Sequence, residues 1–144
     1  NTVLRPNFIA GPTPPSYKDN MIRGFIDDLV TNGGITLAGH GAYQREWIHP
    51  QDIADAIQLV ALSEAEGCET FILSQEANRL DMRSLAQRII DRVGDIPGKV
   101  TTLPELPGFT LISSATKAKE TLHWQPKRDI DSIIDEIWHG YRSN

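Results

Sequence analysis

The sequence predicts an α/β domain. Short apolar runs at residues 2–5, 35–38, 69–74 and 100–103 alternate with longer segments whose apolar residues recur every three or four positions. Glycine, proline and capping residues punctuate the junctions between them. The length, 144 residues, suits one domain able to bury a sizeable core.

In chain order, residues 2–5 read as a short buried strand ending at Pro6, followed by a Gly/Pro-rich loop over 11–16. A helix is expected over about 18–31, with Met21, Ile22, Phe25, Ile26, Leu29 and Val30 at helical spacing. Asn32-Gly33-Gly34 ends it, because glycine accepts the left-handed conformation that satisfies the last carbonyls. Residues 35–38 and 46–49 are short strands around a Gly39-His40-Gly41 turn. Pro50 opens a helix to about 65, since its missing N–H costs nothing in a first turn; Ile53, Ala56, Ile57, Val60 and Ala61 are its expected buried stripe. Residues 69–74 form the next strand, with Phe71-Ile72-Leu73 continuous enough for cover on both faces. Asp81 caps a helix over 82–93 that Gly94 closes. A brief strand over 100–103 leads into a loop over 104–107, and Ser114 can cap a short helix over 115–122. Asp129, with Ser132 three residues on, opens the last helix, whose face is Ile130, Ile133, Ile134, Ile137, Trp138 and Tyr141. Several of these strands are too short to build a large sheet.

Charge and composition narrow the function. The 14 basic and 19 acidic side chains are mixed along the chain, without the basic stripe that a phosphate backbone requires, so no nucleic-acid partner is expected. The longest apolar runs, such as 57–62, are far too short to span a bilayer, and the N-terminal residues lack the form of a signal peptide. The one cysteine, Cys68, cannot form an internal disulfide and suits a reducing cytoplasm. Four histidines, with no cysteine pair and no H-E-x-x-H, give no metal site. The first residue is Asn, and the chain opens directly into a strand-like run, so a fragment or processed product is expected.

Four motifs in order resemble the second half of the extended short-chain dehydrogenases/reductases, the NAD-dependent nucleotide-sugar epimerase/dehydratase type. Arg5-Pro6-Asn7-Phe8-Ile9-Ala10-Gly11-Pro12 resembles R-P-x-N-x-Y-G-P. Gly39-His40-Gly41 and the run from Arg45-Glu46-Trp47-Ile48-His49-Pro50 to Ala56 resemble G-D-G-x-x-x-R-D-F-x-H-V-x-D-V-A-x-A. Residues 69–74 stand at the family's G-E-x-Y-N-I-G strand, and residues 117–126 look like S-K-A-x-x-x-L-G-W-x-P. The resemblance implies that residues 1–144 are the substrate-side C-terminal portion: the last Rossmann strands and helices plus a small α/β lobe that takes a nucleotide sugar. It implies NAD or NADP as cofactor, yet no G-x-x-G-x-x-G cradle follows an early strand. Catalytic residues are also absent, because neither Tyr17 nor Tyr43 has a lysine four residues on and Tyr141 is too near the end. Such a piece is catalytically incomplete by itself, and it is expected to bind its missing Rossmann half or to self-associate. A non-enzymatic binding module that retains the fold is the alternative.

Arg45 is the leading substrate-binding candidate. By resemblance it pairs with the substrate diphosphate, a task suited to a planar fork of donors; otherwise it is a solvated turn arginine or a partner of Glu46. Asn7 and Phe8 are further substrate candidates and Pro6 a cofactor candidate, since strand-end loops line the crevice of open α/β sheets; the alternative is a plain strand end and turn. Phe8 and Ala10 stand where the family has Asn and Tyr, and R-x-G-D is missing, which points to a smaller or less charged substrate. His49 reads as a structural residue at a strand-to-helix junction and His40 as exposed. Trp47, Trp124 and Trp138 read as core anchors, and Asp52 and Asp55 as helix-start charges favoured by the macrodipole.

Overall fold

Alternation of strands and helices is what the chain adopts, and the α/β prediction holds. The computed structural model describes residues 1–13, 20–63, 68–103 and 107–143. The expected start of the first helix at 18–19, the end of the second at 64–65, residues 14–16 of the first loop and residues 104–106 of the later one lie outside the described residues. In chain order the elements are β1 (Thr2–Pro6), β2 (Phe8–Ile9), α1 (Met21–Asn32), β3 (Gly34–Ala38), β4 (Gln44–Ile48) and α2 (Pro50–Leu62). They are followed by β5 (Glu69–Leu73), β6 (Arg79–Asp81), α3 (Met82–Val93), β7 (Lys99–Leu103), α4 (Thr116–Leu122) and α5 (Ile130–Arg142). The strands β2 and β6 have two and three residues, too few for periodicity to reveal them.

The side chains predicted to cap α3 and α5 do so. Asp81 accepts from the Ser84 amide at 2.8 Å, and Asp129 from the Ser132 amide at 2.8 Å. Gly33 ends α1 with φ 68° and donates to the Leu29 carbonyl. His49 caps α2: its Nδ1 accepts from the Gln51 amide at 3.0 Å, so that nitrogen carries no proton and Nε2–H donates to Glu136 at 3.0 Å. Asn20, whose side chain accepts from the Arg23 amide and donates to the Gly11 carbonyl, ties the loop after β2 to α1. Ser114 is displaced by one residue from its expected role. The helix begins at Thr116 after Ala115, and Ser114 Oγ accepts from the Thr116 amide.

Among the described residues, three small sheets share the work of a large one. β1 pairs with β5 and β3 with β7, both parallel, while β4 lies between parallel β2 and antiparallel β6. Successive side chains of a strand face opposite ways, and this makes β4 a wall between two cores. Trp47 enters the larger core, built from α1, α3, α5 and β3 through residues such as Ile26, Leu85, Ile134 and Ile35. Ile48 enters the other, with Ala56, Phe71, Leu73, Ala118 and Trp124.

Burial departs from expectation where a pattern was read as a fully covered face. Phe71 and Leu73 are buried but Ile72 is 38% exposed, and Val3 of β1 is 42% exposed; the β1–β5 pair is covered on one face only among the described residues. In α2 the apolar stripe is broader than its cover: Ala56 is buried, Ile57 is 55% exposed and Ala61 is exposed. Trp138 is half-buried, stacked on Tyr141 at 5.7 Å, rather than a core anchor like Trp47 and Trp124. Asp52 stands in the first turn of α2, as expected, but it is fully buried there. It accepts from the Lys127 and Arg128 amides at 3.0 and 3.2 Å and from the Arg128 guanidinium at 3.0 Å.

Candidate functional site

Pro6 ends β1 opposite Leu73 of β5, so the chain leaves both strands at their C-terminal ends, the edge where parallel α/β sheets hold ligands. The next residue, Asn7, keeps contact with β5 through its amide, which donates to the Leu73 carbonyl at 2.9 Å. Its side-chain amide donates to Glu46 at 3.1 Å and to the Ser113 hydroxyl at 3.0 Å. The Asn7 Oδ1 is buried and has no partner among the described residues.

β4 supplies the two charges of the site, on opposite faces because they are adjacent. Glu46 is wholly buried. Arg79 of β6 donates to its Oε1 through Nε and Nη2 at 2.9 and 2.6 Å, and its Oε2 accepts from Asn7 and from the Ser113 amide at 3.1 Å. Four donors answer the desolvation of one carboxylate. The result is a knot joining the end of β1, β4, β6 and the segment before α4.

Arg45 lies neither in a solvated turn nor against Glu46. It is 4% exposed, and its guanidinium carbon sits 4.6 Å from the Phe8 ring centroid, 5.0 Å from Tyr43 and 4.1 Å from Phe109. Its Nη1 donates to the Gln44 carbonyl at 3.3 Å and to the Phe109 carbonyl. The Nε is buried with no acceptor among the described residues. Burial pushes the guanidinium below its ordinary value, and Tyr43 pulls the other way. Phe8 occupies the gap between this cation and the larger core, its ring tilted on Trp47 at 5.7 Å.

Residues 109–113 run beside β4. The Gln44 amide donates to Thr110 Oγ1 at 3.1 Å and the Leu111 amide donates to the Gln44 carbonyl at 3.2 Å. Ser74, just past β5, donates to the Ser113 carbonyl at 3.2 Å. Gly108 is required at its position, because any side chain there would overlap the Tyr43 ring.

The four residues predicted from sequence therefore come together: Pro6, Asn7 and Phe8 in one turn, with the Phe8 ring against Arg45. Glu46, Arg79, Tyr43, Phe109 and Ser113 complete the cluster. A signal for Glu46 existed, a carboxylate beside the apolar pair Trp47-Ile48 in a short strand, which must find donors if the strand is central. Nothing local announces Arg79, Phe109 or Ser113, which arrive from 33 to 67 residues away.

Comparison with known proteins gives the cluster its setting. The sequence profile described as the NAD dependent epimerase/dehydratase family matches residues 1–72 of the 144. The chain belongs to the NAD dependent epimerase/dehydratase family. It is 27% identical over 133 residues to a dTDP-glucose 4,6-dehydratase of Streptomyces niveus, covering 91% of this chain and 39% of that protein. With a UDP-glucose 4-epimerase of Streptococcus mutans it shares 29% identity over 124 residues, 83% of this chain and 34% of the other. The chain thus spans less than two fifths of the length of these curated relatives. Among solved structures, the UDP-glucose 4-epimerase of Thermotoga maritima, determined with UDP-glucose, matches 99% of this chain and 46% of its own, with a TM-score of 0.83 at 22% identity. The dTDP-glucose 4,6-dehydratase of Bacillus anthracis, in complex with NAD, gives 0.77 at 22%, over 99% of this chain and 45% of the other. These likenesses establish the fold, the partial α/β architecture of extended short-chain dehydrogenases.

The family's cofactor is NAD, whose pyrophosphate is an anion that backbone amides can hold. That group needs a helix N-terminus with free amides. At the starts of α1, α2, α3 and α5 one first-turn amide each is taken, by Asn20, His49, Asp81 and Asp129. Among the described residues no group of three or more His, Cys, Asp or Glu is placed to hold a metal ion, and no helix is long and apolar enough to cross a membrane.

Proposed function

We propose that residues 1–144 are the substrate-side portion of an NAD(P)-dependent epimerase, dehydratase or reductase, with a nucleotide sugar or a related molecule as substrate. The observation that carries this is Arg45, a buried cation that, among the described residues, faces three rings and two carbonyls and no carboxylate, with no acceptor at its Nε. An anionic oxygen is the missing partner. The relatives named for UDP-glucose and dTDP-glucose support a diphosphate as its source. Phe8 borders the same space from the end of β1, Asn7 meets Glu46 and Ser113 on the other face of β4, and Pro6, at the C-terminal end of β1, is assigned to the cofactor side by the family resemblance. The cofactor, when bound, supplies hydride chemistry; this chain's residues bind and orient the sugar nucleotide.

The lone, exposed Cys68 supports a reducing cytoplasm as the location. The open face of β1–β5, with Val3 and Ile72 exposed, supports a protein partner there: the Rossmann half of the enzyme, or a second copy of this chain. A second reading, a binding module without chemistry, is favoured by Phe8, whose ring meets Arg45 where a polar contact was expected from the family pattern.

Calorimetric titration of the chain with UDP-glucose and dTDP-glucose tests the proposal. A charge-assisted contact of this kind contributes on the order of 1.5–3 kcal/mol, so Arg45→Ala is expected to weaken binding at least about tenfold. Equal affinity in a folded Arg45→Ala variant, or no binding by the unaltered chain, sinks the assignment. Binding without NAD-dependent turnover in the protein that carries these residues favours the module.

A further inference from the structure

The ring and carbonyl that hold Arg45 belong to a residue with few other ties among the described residues. Phe109 is 65% exposed, although its ring lies 4.1 Å from the Arg45 guanidinium and its carbonyl accepts from Nη1. Its neighbours Leu111 and Ile112 are 45% and 43% exposed. The segment is pinned at its far end by the Ser113 amide on Glu46, whereas at Phe109 and Thr110 the ties are to Gln44 and Arg45. A largely solvated ring gives up little apolar burial when it moves.

We propose that Phe109 is an internal competitor for Arg45, a cover that the phosphate group of the substrate displaces. This rests on the reading of Arg45 as the substrate's anion partner and adds what sets the affinity of that site. A carbonyl is a neutral acceptor. A phosphate oxygen in its place makes a charge-assisted bond roughly twice as strong and also reaches the Nε, which meets no acceptor among the described residues. The exchange therefore favours the anion, and the apparent affinity is reduced by the fraction of chains in which Phe109 is seated. Glu46, Arg79 and Ser113 stay fixed while 108–111 moves, because their bonds lie on the opposite face of β4.

The test uses the 144-residue chain with uridine diphosphate as probe, in calorimetry and in amide NMR. If the cover competes, Phe109→Ala binds the probe roughly three- to tenfold more tightly than the unaltered chain, since the competent fraction rises. Phe109→Leu, which loses the ring and retains an apolar side chain, falls between them; both variants keep the backbone carbonyl. In the unaltered chain the probe shifts the Leu111 amide and leaves the Ser113 amide in place. Affinity unchanged or weakened in Phe109→Ala, while Arg45→Ala abolishes binding, overturns the cover and leaves the Arg45 reading standing. A still Leu111 amide under saturating probe does the same without any variant. If neither the unaltered chain nor Phe109→Ala binds the probe, the Arg45 reading fails and the cover with it.

Discussion

Buried charges in this protein are stabilised in two different ways, and the difference separates structure from candidate function at the scale of single residues. Asp52 and Glu46 are answered at both carboxylate oxygens, each of which accepts from an amide or a guanidinium. Arg45 is left with an Nε that meets no acceptor among the described residues. Carboxylates answered in this way hold elements together. Asp52 joins the start of α2 to residues 127–128, and its own carbonyl accepts from the Trp124 indole at 2.8 Å, so it fixes the segment between α4 and α5. Asp52→Asn keeps the shape and removes the charge that answers Arg128. Breaking a buried pair costs about 3–5 kcal/mol, and Arg128, one third exposed, recovers part of that in water. We expect a loss of about 3 kcal/mol in urea denaturation, the lower end of that range. A change smaller than about 1 kcal/mol, the size of a neutral hydrogen bond, would show that the latch is an exposed contact in solution.

Elements are legible here through their ends more than their middles. α5 is announced by Asp129, whose carboxyl is held below its ordinary range by the Ser132 hydroxyl and then by the Ser132 amide. Asp81 at α3 is raised by burial, but the Ser84 amide and hydroxyl outweigh that and the net shift is downward. A carboxyl lowered in the fold contributes stability above its unfolded value, near 3.9, and loses it as pH falls through the lower folded value. Asp129→Ala is therefore expected to cost about 1 kcal/mol at neutral pH, as N-cap removal does, and progressively less in acid. Urea melts at about pH 7 and pH 3, on either side of that unfolded value, measure the difference. A penalty equal at both values would show that the Asp129 charge contributes nothing and the cap is only a neutral acceptor. Across the same surface Arg92 meets Asp131 and Asp135 of α5, exposed pairs that add little.

On the scale of the whole molecule, the described chain covers its helices better than its sheet. One face of β1–β5 carries Val3, Arg5, Thr70 and Ile72, and β1 has a single neighbour among the described residues. On the outer side of α2, Ile57 and Leu62 are 55% and 75% exposed. Each such side chain forgoes on the order of 1.5–3 kcal/mol relative to full burial, and an open strand edge offers unpaired amides and carbonyls to another chain. The isolated chain is expected to self-associate. Sedimentation velocity should give a mass above that of the monomer that rises with concentration, together with binding of a hydrophobic dye. A sharply melting monomer that ignores the dye would mean that these faces are content in water, and it would favour the autonomous binding module.

Local order is what the sequence determined. The helices, Gly33 at the end of α1, the caps at Asp81 and Asp129, and the family motif around Arg45 all depend on neighbours within a few residues, where propensity and capping act. Burial could not be read the same way, because period alone does not say which side of a strand or helix is covered; Ile72 and Ile57 kept an apolar pattern without cover. The two shortest strands had too few residues to show a pattern at all. Only the tertiary structure decided that Arg45 is caged and Glu46 answered at both oxygens. Adjacent residues of β4 face opposite ways, and their partners, Phe109 and Arg79 among them, are brought from distant segments by packing that no window of sequence contains.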